Sequence, residues 1–204
     1  CWTVLGGPHV PLAAGEFLAA HSYVAAVVHA EGEVACTEIL RARLAGDPLV
    51  ACLGVSTAET INSPAPRVTD LSILASPYLS GVMDRLAPEI PGLRYVASWE
   101  TNRGCPYQCT YCDWGSATYT KVRLYPMERL LAEARWFGER DIPYIDCCDA
   151  NFGMFPRDAE LAQALAVVKA DCGAPTTFRQ SWAKGASSKL LPIAAILHGA
   201  GLLT

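Results

Sequence analysis

A chain of 204 residues that is 51% hydrophobic can bury a sizeable core, in one large or two small domains. Its formal net charge of −4 gives no basic excess, so nothing supports broad electrostatic binding of nucleic acid or of an anionic membrane, and an RNA substrate is left unsupported. An odd count of nine cysteines, with no charged, then apolar, then small-residue leader at the start, predicts a cytoplasmic setting in which thiols serve as ligands rather than disulfides.

In chain order, residues 2–5 read as a short buried strand leading into the turn Gly6-Gly7-Pro8-His9. Residues 11–20 are weakly helical. Residues 23–29 are apolar and β-branched, a second strand, and end on Ala30-Glu31-Gly32-Glu33. Val34, Ile39, Leu40 and Leu44 give residues 34–45 a helical apolar face, stopped by Gly46. Residues 49–54 read as a third strand, so the order strand, helix, strand, helix, strand predicts a parallel α/β sheet. Ligands of such a sheet sit at the carboxyl ends of its strands, where Gly6, Gly7, Glu31 and Gly32 fall. Residues 60–94 hold five prolines and little periodicity, an extended connector.

Residues 95–98 form the next strand, and the segment 100–115 that follows places Cys105, Cys109 and Cys112 in a CxxxCxxC spacing. Gly104 and Pro106 loosen this loop and Gly115 closes it, so three thiolates can turn inward around one soft metal centre. No fourth cysteine lies nearby. Structural zinc and electron-transfer clusters fill their coordination positions with protein ligands, whereas three ligands leave one iron open. A zinc site completed by a distant His or Cys remains an alternative, as do buried cysteines with no metal. Residues 126–140 are an amphipathic helix, with Met127, Leu130, Leu131, Ala134 and Phe137 on one face, Glu133 among the polar residues elsewhere, and Pro126 suited to the first turn. A strand over 142–148 ends on Asp149-Ala150-Asn151-Phe152-Gly153, where Asp149 and Asn151 can meet an ammonium or a ribose. The alternative makes them turn or helix-entry residues. A helix over 158–170 ended by Gly173, a strand over 176–180 and a helix over 188–198 complete the pattern, with Lys184 a loop residue and Pro192 placed where helix amides lack acceptors. The longest apolar run, 190–204, contains Pro192, His198 and two glycines and is too short to cross a bilayer. Cys1, Cys36, Cys52, Cys147, Cys148 and Cys172 lack ligand spacing and read as small buried thiols, Cys147 and Cys148 lying beside Asp149.

Cys105-Pro-Tyr-Gln-Cys-Thr-Tyr-Cys112, flanked by Asn102-Arg103-Gly104 and Asp113-Trp114-Gly115, resembles the cluster loop of the radical S-adenosylmethionine (SAM) enzymes, in which the residue before the last cysteine, here Tyr111, is aromatic. Gly6-Gly7-Pro8-His9, Glu31-Gly32-Glu33, the segment 76–81 and Asp-Ala-Asn-Phe-Gly at 149–153 are similar to the subclass with a cobalamin-binding domain before the barrel. The resemblance implies an α/β protein: the C-terminal part of a Rossmann-like cobalamin-binding domain (1–59), a connector (60–94), and the first half of a partial (βα) radical SAM barrel (95–204). It implies that Cys105, Cys109 and Cys112 hold a 4Fe-4S cluster, that Tyr111, Asp149 and Asn151 contact SAM, and that Gly6, Gly7, Glu31 and Gly32 lie along cobalamin. His9 is read as a surface histidine and not a cobalt ligand.

In that family the open iron chelates SAM, and one electron cleaves it to methionine and a 5'-deoxyadenosyl radical. The implied reaction is methyl transfer to an unactivated carbon or phosphorus of a small-molecule or peptide substrate, with an electron donor such as flavodoxin or ferredoxin. A non-methylating rearrangement or ring closure, or a non-catalytic iron-sulfur or zinc protein, are the competing readings. The ends at Cys1 and Thr204 lead us to expect a piece of a longer protein.

Overall fold

The computed structural model describes every residue except Cys1, Pro8, Leu12, Val50, Ala51, Pro88, Glu89, residues 113–119, Ala186 and Thr204. Two units emerge, Cys1–Thr69 with Cys109–Thr118 and Asp70–Gln108 with Tyr119–Thr204. The proline-rich stretch 60–94 is divided between them.

In the first unit, β1 (Thr3–Leu5) and β2 (Val24–Val28) run parallel, with α1 (Ala14–Ala20) between them and α2 (Gly32–Ala45) after them. β2 is buried on both faces, which is why its residues are small or β-branched and apolar throughout. Ala26 and Val28 join Ala35, Ile39 and Ala42 of α2, while Val24 and Val27 join Ala14 and Leu18 of α1. α2 ends at Gly46, whose φ of +78° is the left-handed cap that the sequence predicts. The third strand differs from expectation in place and direction: β3 is Val55–Ser56 and pairs antiparallel with β2. The expected strand over 49–54, of which residues 50 and 51 lie outside the described residues, gives way to turn hydrogen bonds, with Cys52 N donating to Leu49 O at 3.0 Å and Val55 N to Cys52 O at 3.2 Å. Gly54, at φ +75° and with a would-be Cβ 2.9 Å from Ala65 N, then redirects the chain.

The second unit, in which a short helix α3 (Val82–Leu86) interrupts the stretch expected to be extended, is built on three parallel strands in the order β4 (Ala97–Trp99), β7 (Tyr144–Cys147), β8 (Thr177–Arg179). Between β4 and β7 lie a two-residue antiparallel pair, β5 (Asn102–Arg103) with β6 (Arg123–Leu124), and α4 (Met127–Glu139). α5 (Arg157–Cys172) joins β7 to β8, and α6 (Ser187–Gly199) follows β8. Trp99, Phe137, Phe152 and Phe178 fill the space between sheet and helices in edge-to-face contacts with centroids 5.1–6.3 Å apart. Gly173 caps α5 at φ +81°.

Two local expectations are corrected. Glu133 is buried, because its carboxylate accepts from Trp99 Nε1 at 2.7 Å and from Arg129 Nε at 2.9 Å. Pro192 sits inside α6 rather than in its amide-free first turn, so one helical hydrogen bond is missing there.

Candidate cofactor site

The carboxyl ends of β4, β7 and β8 carry Glu100, Cys148 and Gln180, and the strand order puts the start of the cysteine loop, at Cys105, next to the turn 149–153. The link between them is Asp149, almost wholly buried. Its Oδ1 accepts from Thr101 N at 2.7 Å and Asn102 N at 3.1 Å, and its Oδ2 accepts from Thr101 Oγ1 and, at 2.7 Å, from Asn102 Nδ2. Burial pushes this carboxyl up to about 6, against the opposing pull of those hydrogen bonds. Arg157, opening α5, donates to Tyr125 O at 2.6 Å and Thr101 O at 2.5 Å, binding the same loop from the other side. Asp158 accepts from Gly153 N at 2.8 Å and Phe155 N at 3.0 Å and so fixes the far end of the turn. Glu100 holds Arg103 at 2.8 Å and the Tyr125 hydroxyl at 3.0 Å.

Gly104 leads into the cysteines at φ +116°, and a Cβ there would lie 2.9 Å from Lys121 O and from Thr120 Oγ1. Only glycine allows this turn to pass so close to the returning strand. Cys105 is buried and braced, its amide donating to Thr120 Oγ1 at 3.3 Å and its carbonyl accepting from Thr120 N at 2.7 Å. Asn151 Nδ2 donates to Cys105 Sγ at 3.2 Å, while Asn151 Oδ1, fully enclosed, has no hydrogen-bond partner among the described residues.

Cys109 and Cys112 are each half-buried in one turn, with Cys112 N donating to Cys109 O at 3.0 Å. Tyr111 between them is 81% exposed. Among the described residues no three His, Cys, Asp or Glu side chains are gathered as a metal-binding group. The ligand set thus rests on its spacing. Asp113, Trp114 and Gly115 lie outside the described residues. The chemistry at Cys105 fits a ligand of a thiolate-bound cluster: a soft donor already taking an N–H hydrogen bond on its sulfur, beside a buried carbonyl oxygen awaiting a donor.

In the first unit, Gly6 and Gly7 follow β1 while Glu31 and Gly32 follow β2, so both turns share one edge of the parallel pair. Gly7 adopts φ +96°, and Glu31 Oε2 accepts from Val68 N at 3.0 Å, so this side chain also holds the connector. His9 is exposed. The buried pair His29 and Ser56, with Nε2 3.0 Å from Oγ, escapes sequence reading because its members are 27 residues apart. Arg157 and Thr101 escape it for the same reason. Cys147 is buried and its thiol pushed well up by desolvation, whereas Cys148 and Lys184 are exposed.

No family model matches the chain. It is 46% identical over 207 residues to 2-(S-pantetheinyl)-carbapenam-3-carboxylate methyltransferase of Streptantibioticus cattleyicolor. It is 45% identical over 207 residues to the cobalamin-dependent radical SAM methyltransferase TokK of Streptomyces tokunonensis. Each match covers 98% of this chain but 30% of the relative, so the chain spans about a third of the length of these curated relatives. Among solved structures it superposes on the cobalamin-dependent SAM radical enzyme OxsB, bound to aqua-cobalamin and SAM, with a TM-score of 0.63 at 17% identity over 98% of this chain and 30% of that one. On the radical SAM methyltransferase TsrM from Kitasatospora setae the TM-score is 0.57 at 13% identity, over 98% of this chain and 48% of that one. No helix among the described residues is long and apolar enough to cross a membrane.

Proposed function

The chain belongs to the cobalamin-dependent radical SAM enzymes, and we propose that it is the cofactor-bearing part of a methyltransferase acting on an unactivated carbon of a small molecule. The observation that supports this best is Cys105, first of the CxxxCxxC set, buried at the carboxyl end of β4 with its sulfur hydrogen-bonded by Asn151 from the end of β7, in a chain 45–46% identical to such methyltransferases.

On this reading Cys105, Cys109 and Cys112 hold a 4Fe-4S cluster, residues 1–59 form part of the cobalamin domain, 60–94 the connector and 95–204 the beginning of the barrel. When bound, the cluster supplies the electron that cleaves SAM, and cobalamin carries the methyl group. The chain's own residues orient these groups. Asp149, with both oxygens engaged by Thr101 and Asn102, anchors the entry of the cysteine loop rather than leaving an oxygen open. Asn151 Oδ1 is the better acceptor for the SAM ammonium, since it is the oxygen left without a donor. Tyr111 would meet the adenine, and Gly6, Gly7, Glu31 and Gly32 would lie along cobalamin, a reading supported for these four by their position after β1 and β2, where ligands of parallel sheets bind. A pantetheinylated carbapenam carboxylate, named for one relative, is the first substrate class to test. A cytoplasmic location and a flavodoxin or ferredoxin donor go with this chemistry.

The test is anaerobic iron-sulfur reconstitution of the intact protein, followed by electron paramagnetic resonance of the reduced sample with and without SAM. A 4Fe-4S signal that changes on adding SAM, and is lost in Cys109→Ala, is the expected result. A protein that takes up zinc alone, or a cluster indifferent to SAM, would overturn the reading.

A further inference from the structure

Asn151 has a second feature that SAM binding does not explain: the amide end of its side chain points at a sulfur. Its Nδ2 lies 3.2 Å from Cys105 Sγ, and both residues are shielded from solvent. The two backbones that set this distance are braced. On one side Cys105 exchanges hydrogen bonds with Thr120 at 3.3 and 2.7 Å. On the other, Phe152 bridges to Trp182, with Phe152 N donating to Ser181 O at 2.8 Å and Ala183 N to Phe152 O at 2.9 Å, while Asp149 and Asp158 fix the turn at either end.

Orientation of the amide is decided by charge. A cluster ligand is a thiolate, which only accepts, so the N–H end of Asn151 must face it and the carbonyl end must face away. An N–H donor on a cluster thiolate draws electron density from the sulfur and stabilises the reduced, more negative cluster more than the oxidised one. In a buried site the effect is strengthened by the low local dielectric. The enclosed Oδ1 adds to this, because a donor arriving there polarises the amide and makes its N–H a stronger donor to sulfur.

We propose that Asn151 is a positioning residue that sets the reduction potential of the cluster: its N–H···S hydrogen bond to Cys105 raises the potential, so that the cluster accepts its electron more readily. This rests on the cluster reading above. The N–H···S contact itself is already made.

The experiment is a redox titration of the reconstituted intact protein, followed by electron paramagnetic resonance, for the wild type, Asn151→Ala and Asn151→Asp. Asn151→Ala deletes the donor. Asn151→Asp keeps the size of the side chain and replaces the donor with a carboxylate, and it carries the test where the alanine variant folds poorly. The midpoint is read on whatever fraction of the protein is loaded, so partial occupancy does not disturb it. Both variants are expected to have a more negative midpoint than the wild type, the aspartate variant the more so. A tenfold fall in the reduced-to-oxidised ratio at fixed poise corresponds to a shift of about 59 mV for one electron. Equal midpoints in all three proteins would overturn the inference while leaving the cluster reading intact. A wild-type protein that forms no cluster would overturn both, so the two failures are told apart by the wild type alone.

Discussion

Replacing Asp149 with alanine removes one acceptor from four donors at once: Thr101 N, Thr101 Oγ1, Asn102 N and Asn102 Nδ2. Each buried donor left unmet costs about 1–3 kcal/mol. Against this, the variant no longer carries a carboxylate that burial has raised to about 6, which at pH 7 relieves about 3 kcal/mol. Water entering the vacated space restores part of the remainder, leaving a local destabilisation of about 4 kcal/mol. Hydrogen-deuterium exchange of the peptide covering 99–104, in the intact reduced protein, reads that opening directly. About a thousandfold faster exchange is expected for Thr101 and Asn102, since each factor of ten is about 1.4 kcal/mol. Exchange within tenfold of the wild type would refute the reasoning, by showing that the carboxylate does not hold the loop.

The same carboxylate gives a pH dependence. Its folded value near 6 lies above the usual value of 3.8, so the folded state binds the proton more tightly; this stabilisation is complete below pH about 4 and is lost as pH rises to 6 and beyond. Urea unfolding of wild type minus Asp149→Asn should therefore show a stability difference that changes by about 2 kcal/mol between pH 4 and 7, and a flat difference would contradict it. Gly104→Ala meets both a positive φ and backbone 2.9 Å away, so a loss of about 1–3 kcal/mol in thermal or urea unfolding is expected, together with a lower iron yield on reconstitution. Unchanged iron content with unchanged stability would show that the turn tolerates a side chain. Glu133→Leu leaves Arg129 and Trp99 Nε1 without their shared acceptor and should cost about 3–5 kcal/mol, measured by urea unfolding. A loss under 1 kcal/mol would mean that the pair is replaceable by packing.

The identities and order of the helices, other than the short Val82–Leu86 within the stretch read as an extended connector, and of most strands, were legible in the chain because the forces that specify them are local. The apolar stripe of α4, the left-handed glycines closing α2 and α5, and the apolar run of β2 each lie within one element. So does the CxxxCxxC spacing, which names a ligand set without needing a fold. Tertiary structure decided what depends on partners far along the chain. Residues 49–54 have strand composition, but the turns closed by Cys52 and Val55 and the approach of Gly54 to Ala65 move the strand on and reverse it. β5 and β6 are two residues each, too short to show alternation, and exist because they pair across the cysteine loop. Glu133 looks solvent-facing until Trp99, 34 residues away, supplies its partner. Asp149 and Asn151 are polar turn residues two positions apart in the sequence; their separate tasks follow from Thr101 and Asn102 at one and Cys105 at the other, 46 to 48 residues distant. A hydrogen bond between such groups is decided by the register of β4 beside β7, and no local periodicity encodes it.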